Sequence, residues 1–194
     1  MKTYNKKALG SNKPLTPQHN NKLAALFSSE SDEWPTPPWI LDILKTVYRF
    51  SLDPCSTDIN NICGKHYTLD DDGLKKSWAA EVIWMNPPYS QIEEWMGKAY
   101  ESAKEEGATV VCLVPARTDT KWWHNYVMRG NCQIVFVQGR LKFGHAKNSA
   151  PFPSIIVVMR PPQATHFPEG YLGKLINEGR PSKRKRGVVS SLKP

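Results

Sequence analysis

Two spacings of apolar residues alternate along the chain. In residues 37–47 and again in 92–107, apolar side chains recur every three to four positions, which predicts two amphipathic helices. The first helix is predicted to have Thr36 as its N-cap and Pro37 at its first helical position. A third helix is predicted over residues 121–130.

Short apolar runs between these helices predict strands. The run 108–115 is apolar throughout, which is typical of a parallel strand covered on both faces. Strands that alternate with helices indicate an α/β layered fold with a mostly parallel sheet, whose ligands bind beyond the carboxyl ends of the strands. Asp53, Asn86 and Pro115 each fall at such an end. The predicted strands are 50–54, 81–85, 108–115, 133–137 and 154–160.

The positive charge of the chain is concentrated at its two ends. Of a net charge of +8, residues 1–29 carry +5, residues 163–194 carry +5 and residues 30–162 carry −2. We therefore predict a flexible basic arm over 1–29, one domain over 30–162 and a basic tail over 163–194. Basic ends on a near-neutral domain fit a polyanionic partner. The alternative is that the run Ser182–Gly187 is a solvated tail that keeps the protein soluble.

Other sequence features exclude several classes of protein. No apolar run approaches 18 residues, which predicts no membrane span, and the first ten residues lack the apolar core of a secretory signal. The four cysteines show no CxxC spacing, so free thiols in a reducing cytoplasm are expected. Cys55, Cys63 and His66 could supply three zinc ligands, but no fourth is evident and we predict no metal site.

The stretch Asn86-Pro87-Pro88-Tyr89 ends a predicted strand with two residues that cannot donate to a sheet. An exocyclic amine on a heteroaromatic ring is a weak nucleophile, since its lone pair is delocalised. Two acceptors aimed at its N–H bonds, the Asn86 side-chain oxygen and the Pro87 carbonyl, would favour attack on a methyl donor, while Tyr89 stacks on the ring. The alternative is a rigid turn without chemistry.

The wider context resembles one family, the phage-type (Dam-like) DNA N6-adenine methyltransferases. The resemblance covers roughly residues 32–160 and includes Asn86-Pro87-Pro88-Tyr89, which looks like the catalytic [DN]PP[YFW] signature of these enzymes. Several other stretches occur in the same order as in the family: "DEWPTPPWI", "LDPCSTDIN", "DDGLKKSW", "LVPARTDTKWWH", "GRLKFG" and "APFPSIIVV".

The resemblance implies a single-domain, Rossmann-like class I methyltransferase fold with a mostly parallel seven-stranded sheet. It implies methyl transfer from S-adenosylmethionine to N6 of adenine in double-stranded DNA, with the base flipped out of the duplex. It also implies a phage or prophage origin and action in the bacterial cytoplasm. The sequence does not give the recognition site, for which GATC is the family's usual guess.

Cofactor-binding residues are likewise implied by the resemblance. Asp53 and Cys55 lie where such enzymes carry their first cofactor motif, although the usual glycine-rich form is absent and a plain turn is the alternative. Thr36 and Pro37 resemble a segment that closes over the methionine end of the cofactor. Asp72 lies where the family places a carboxylate near the cofactor adenine, with a solvated turn as the alternative.

Asp70 and Asp71, the two residues before Asp72, are alternatives for the same carboxylate role.

Substrate contacts are expected from two polar segments. Arg117 and Lys121 could meet phosphates, and Arg140 and Lys142 lie in a long loop placed where a DNA-contacting loop would be needed. The tryptophan pair 122–123 could line a base pocket, but tryptophans at this spacing are more often core residues.

Two rival functions fit the same residues. One is an amino-methyltransferase that acts on RNA or on protein glutamine, since the signature is shared with both. The other is a catalytically inactive nucleic-acid-binding relative, against which the intact Asn-Pro-Pro-Tyr stretch argues.

Overall fold

A computed structural model describes residues 34–144 and 146–181 of the chain. Its regular elements include both helices and strands, which confirms the α/β class in its coarse form. In chain order they are α1 (Pro38–Val47), β1 (Val82–Met85), α2 (Ile92–Glu105), β2 (Thr109–Pro115), β3 (Cys132–Phe136), β4 (Ser154–Met159) and α3 (Tyr171–Glu178), with short 3-10 turns at Gly73–Lys75 and Tyr89–Gln91 and a π-type turn at Trp123–Val127.

The strands form a mixed sheet in the order β1-β2-β4-β3. β1 runs parallel to β2, and β4 runs antiparallel to both β2 and β3, so only β4 is reversed. The prediction of seven mostly parallel strands is therefore wrong for the described residues, which form a four-stranded mixed sheet. A continuous apolar run reports burial on both faces of a sheet, and it does not report the direction of the strand.

The predicted strand 50–54 is reduced to two isolated bridges, one of which joins it to β1. Leu52 pairs with Ile83 and Asp53 pairs with His66, both in parallel. Pro54 lacks an N–H and follows at once, so the pairing stops there. The segment nevertheless carries Asp53 to the same edge of the sheet as the carboxyl end of β1.

The sheet has a helical layer on each face. Side chains alternate along β2, with Val110 and Cys112 packed on the side of α2 and Val111 and Leu113 on the side of α1 and α3. Residues 110–115 of this strand are buried throughout, which confirms the prediction of a strand covered on both faces.

A helix lies within the segment predicted to be a tail. α3 packs Leu172 and Ile176 into the core, and Asn177 binds the edge of the sheet through the Phe136 carbonyl oxygen at 3.0 Å. Residues 163–194 are thus not tail throughout, because the four-residue spacing of these two apolar side chains is enough for a short helix. The arm 1–29 and the run Ser182–Gly187 lie outside the described residues.

No helix within the described ranges is long and apolar enough to cross a membrane.

Candidate active site

The Asn-Pro-Pro-Tyr stretch forms a stiff turn directly after β1. Asn86 follows the last residue of the strand, Pro87 is buried, and Tyr89 begins a short 3-10 turn that leads into α2. Neither proline can donate to a neighbouring strand, so the ladder ends and the chain leaves the sheet at its carboxyl edge. The turn thereby holds the Asn86 side chain and the Pro87 carbonyl group at this edge.

The Asn86 amide is held on both sides. Its nitrogen donates to the main-chain carbonyl oxygen of Trp34 at 2.5 Å and to Thr36 Oγ1 at 3.1 Å. Its oxygen accepts a hydrogen bond from the Tyr89 hydroxyl at 3.1 Å. Helix α1 has Pro37 at its N-cap, one residue later than predicted, and the Thr36 hydroxyl contacts Asn86 instead of capping the helix.

Tyr89 lies inside a cluster of aromatic rings. Its side chain is 7% exposed, and its ring is nearly parallel to that of Trp34, with the ring centres 6.2 Å apart and 18° between the planes. Phe152 meets Tyr89 edge-on at 5.5 Å, and Phe143 meets Trp34 edge-on at 5.3 Å. Burial raises the pKa of the Tyr89 hydroxyl well above its ordinary value, so the hydroxyl stays protonated and can act as a donor.

The long loop between β3 and β4 packs against the segment that carries Trp34. Gly144 donates to the Pro35 carbonyl oxygen at 3.0 Å and has a φ of +45°, in the region that favours glycine. Leu141 and Phe143 are buried, whereas Arg140 and Lys142 alternate with them and point to solvent. The loop thus closes the aromatic cluster and presents two cations outward.

Asp53 is a buried carboxylate at the same edge. It is 4% exposed, and Oδ2 accepts a hydrogen bond from the Ile62 N–H at 3.2 Å. Burial raises the pKa of the Asp53 carboxyl group to about 6. The hydrogen bonds from Ile62 and Cys55 and the nearby His66 lower this pKa, but their effect is smaller than that of burial. Among the described residues no lysine or arginine forms an ion pair with Asp53. A cationic ligand would meet this carboxylate favourably.

The sequence model of the DNA N-6-adenine-methyltransferase (Dam) family matches residues 24–180. This chain belongs to the Dam family. The resemblance predicted from the sequence is confirmed, and with it the association with DNA adenine methylation.

Two phage relatives carry the same description, DNA N-6-adenine-methyltransferase. One, from Haemophilus phage HP1, is 26% identical over 140 residues, which cover 69% of this chain and 81% of the relative. The other, from Escherichia phage T1, is 29% identical over 112 residues, which cover 57% of this chain and 46% of the relative. The matched part therefore spans less than half of the phage T1 protein.

In this Dam family member, Cys55 joins the Asp53 turn to the Asn86 turn. Burial is the main reason that the pKa of the Cys55 thiol lies well above its ordinary value, and the Asn86 backbone N–H opposes that shift. The thiol is therefore neutral at physiological pH and does not supply a nucleophile.

Asp72 lies on a loop pressed against the Asp53 turn. It has a left-handed backbone with a φ of +54° and pairs with Lys75 at 2.7 Å, which lowers the pKa of its carboxyl group. The next residue, Gly73, approaches Pro54 so closely that an added Cβ would lie 2.0 Å from the Pro54 carbonyl oxygen.

Its neighbour Asp71 is engaged within its own turn. The Asp71 carboxylate accepts hydrogen bonds from the N–H and the hydroxyl of Thr68, both at 2.9 Å. Asp70 is exposed. Of the three acids, Asp72 is the one adjacent to the glycine that contacts the Asp53 turn.

The cations predicted to meet DNA lie at the surface. Arg117 follows the end of β2, is exposed, and lies near enough to Tyr89 for its charge to oppose the rise in the Tyr89 pKa. Lys121 is exposed at the next turn. Trp122 and Trp123 are only 3% and 5% exposed and belong to the core, as the core interpretation predicts.

Sequence reasoning assigned no role to three rings at the site: Trp34, Phe143 and Phe152. They occur in stretches that carry the family resemblance, but those stretches contain prolines and glycines and show no periodicity. Aromatic residues in such non-periodic segments were the signal from which these site residues could have been predicted.

Proposed function

We propose that the protein transfers a methyl group from S-adenosylmethionine to the N6 amino group of adenine in double-stranded DNA. The observation that carries the proposal is the Asn86 amide, held with its oxygen at the carboxyl edge of the sheet beside the stiff Pro87 turn. Family membership supports the same reaction. Open α/β sheets bind their ligands beyond the carboxyl ends of the strands, and Asn86 follows the carboxyl end of β1, which supports a Rossmann-like site whatever the number of strands.

The residues of the site polarise the target amine and hold it in position. When bound, S-adenosylmethionine supplies an electrophilic methyl group. Asn86 Oδ1 and the Pro87 carbonyl oxygen accept the two hydrogens of the target amine, which localises the lone pair on N6. With S-adenosylmethionine bound, N6 held in this way would receive the methyl group as its bond to sulfur breaks, and the surplus proton on N6 would leave to solvent.

The residues around Asp53 fit the cofactor. A buried carboxylate without a basic side chain as its ion-pair partner, in the part of the chain described, suits the ammonium group of the methionine moiety. Thr36 contacts the Asn86 amide, and we assign Thr36 and Pro37 to the methionine end of the cofactor. Cys55 lies between the Asp53 turn and the Asn86 turn. We assign Asp72 to the amino group of the cofactor's own adenine.

Tyr89 is assigned to the flipped base. N6 of adenine in a duplex is paired, so the base must leave the stack to reach Asn86. A tyrosine that is 7% exposed offers little free ring surface, so the neighbouring rings must open for the base to stack on it. The half-buried Trp34 and Phe152 are the neighbours in contact with this ring.

The four exposed cations at this edge are assigned to phosphate contacts. Arg117 and Lys121 follow β2, and Arg140 and Lys142 lie on the loop between β3 and β4. Contacts to phosphates position a duplex but do not read its sequence. The basic ends of the chain would add to the same salt-dependent attraction.

The test is methylation of DNA that lacks N6-methyladenine. Purified protein and S-adenosylmethionine are incubated with such genomic DNA, and modified adenines are mapped. The expected result is N6-methyladenine at a defined short sequence, with Asn86→Ala as the matched inactive control. Modification of RNA or of glutamine, with DNA untouched, would contradict the proposal.

A further inference from the structure

The surroundings of the Asn86 amide allow only one orientation. The carbonyl oxygen of Trp34 accepts hydrogen bonds and cannot donate them. The amide nitrogen must therefore face Trp34, because the reversed amide would press two carbonyl oxygens together. The second N–H of the same nitrogen meets Thr36 Oγ1 at 3.1 Å. With both N–H groups bound, Oδ1 is the part of the amide left to face the site.

We propose that Thr36 is a positioning residue, which locks the Asn86 amide so that Oδ1 faces the target amine. This role rests on the proposed function and adds to it, since Thr36 was assigned above only to the cofactor. The two residues are 50 positions apart, so the contact joins the segment before α1 to the turn after β1. A hydroxyl one residue before the N-cap of α1 is available for this contact.

The contact with Tyr89 completes the lock. A hydroxyl can donate or accept, so Tyr89 alone would not decide the amide orientation. Once the nitrogen is held by Trp34 and Thr36, the protonated Tyr89 hydroxyl donates to Oδ1 at 3.1 Å. An amide oxygen has two acceptor sites, so one remains for the substrate. Thr36 is the side chain that holds the nitrogen, whereas Trp34 does so through its main chain.

The first test reads the amide directly and needs no activity. In the ¹⁵N-edited NMR spectrum of the full-length protein, the Asn86 side-chain NH2 pair is assigned by its loss in Asn86→Asp. Thr36→Val keeps the shape of residue 36 and removes the acceptor, so one proton of the pair should shift upfield and exchange faster with water. Thr36→Ser should restore the wild-type signal. An unchanged pair in Thr36→Val would overturn the proposal.

The second test asks whether Thr36 acts through Asn86. One neutral hydrogen bond is lost while the Trp34 contact remains, so Thr36→Val should lower the single-turnover rate at saturating cofactor by roughly fivefold to tenfold. In an Asn86→Ala background the same change should have no further effect on the rate, because residues that act as a unit are not additive. Thr36→Ala serves in the same way if the valine variant does not fold.

The two tests separate the failure of this inference from failure of the proposed function. Multiplied losses in the double variant would show that Thr36 acts elsewhere, for example on the cofactor alone, and the positioning role would be wrong. A wild-type protein that methylates no adenine would contradict the proposed function, and the NMR comparison would still decide the hydrogen bond.

Discussion

The Tyr89 hydroxyl donates to Asn86 Oδ1 across 3.1 Å. The residue proposed to stack on the flipped base therefore also contacts the oxygen proposed to accept from the target amine. The hydroxyl and a substrate amine are thus donors to the same oxygen. Tyr89 therefore combines two separable contributions, ring stacking and a hydrogen bond, which variants at this position can distinguish.

Tyr89→Phe is expected to keep the methylation rate within a few-fold of wild type. The ring remains for stacking, and Oδ1 loses a neutral donor worth about 1 kcal/mol but gains freedom to accept from the substrate. Tyr89→Ala removes the ring and should reduce single-turnover rates severely. Rates are measured on fractions shown by circular dichroism to be folded. Equal losses in both variants would assign the effect to the hydroxyl instead.

Asn86→Ala should lower kcat by about 10²–10³-fold, because a preorganised acceptor is lost. Cofactor affinity, measured by calorimetry, should stay close to wild type. Asn86→Asp keeps an acceptor but places a carboxylate oxygen against the Trp34 carbonyl, so it should retain partial activity and melt at a lower temperature. A folded Asn86→Ala protein with wild-type turnover would show that the stretch is only a turn.

Asp53 should make cofactor affinity depend on pH. Its pKa is about 6 in the folded protein, and only the ionised carboxylate pairs with an ammonium group. Affinity for S-adenosylmethionine should rise as pH increases from 5 to 7 and then level off, and Asp53→Asn should be weak and flat over this range. Titration calorimetry at several pH values measures both proteins.

The Asp53 carboxyl group should also make the stability of the ligand-free protein depend on pH, but with the opposite sign: stability should fall as pH rises. Because its folded pKa is raised above the ordinary 3.8 to about 6, its contribution is fully present below pH 3.8 and is lost as pH rises through 6. Asp53→Asn should therefore be more stable than wild type at pH 7.5, by up to about 3 kcal/mol, with the difference shrinking toward pH 4. Denaturant titrations at the two pH values provide the comparison, and a constant difference would contradict this account.

Gly73→Ala should disturb the turn that carries Asp53. A methyl group there would lie 2.0 Å from the Pro54 carbonyl oxygen, so the backbone must move. Overpacking of this kind costs about 1–3 kcal/mol, and the melting temperature should fall by several degrees with a matching loss of cofactor affinity. Gly64→Ala is the matched control, because nothing lies within 4 Å of its added Cβ. Similar effects of both changes would argue against a specific close approach.

Periodicity predicted the parts of the fold that depend on local sequence. α2 was predicted from the amphipathic spacing of its fourteen residues, and β2 from the continuous apolar sequence of its seven residues. Both patterns show directly which side chains are buried. The direction of β4 was not predictable in this way, since it depends on the loop that returns the chain beside β2. α3 was missed because it is eight residues long and is flanked by glycines.

The candidate site was predicted less completely than the fold. Asn86, Tyr89 and Asp53 were singled out because each follows a predicted strand or belongs to a recognisable stretch. The contacts of Trp34 and Thr36 with Asn86 join positions 52 and 50 residues apart, and no local pattern encodes such a pairing. The arm, the tail and the residue assignments remain predictions.

The hydrogen bond from Asn86 to Trp34 has a consequence for how inactive relatives could arise. Deletion of residues 34–36 would leave the four-residue signature untouched, yet remove both acceptors that hold the Asn86 amide nitrogen. A genome survey that counts only the signature would score such a gene product as a working enzyme. Reading the signature together with the segment some fifty residues upstream that supplies the two acceptors would separate the two kinds of gene.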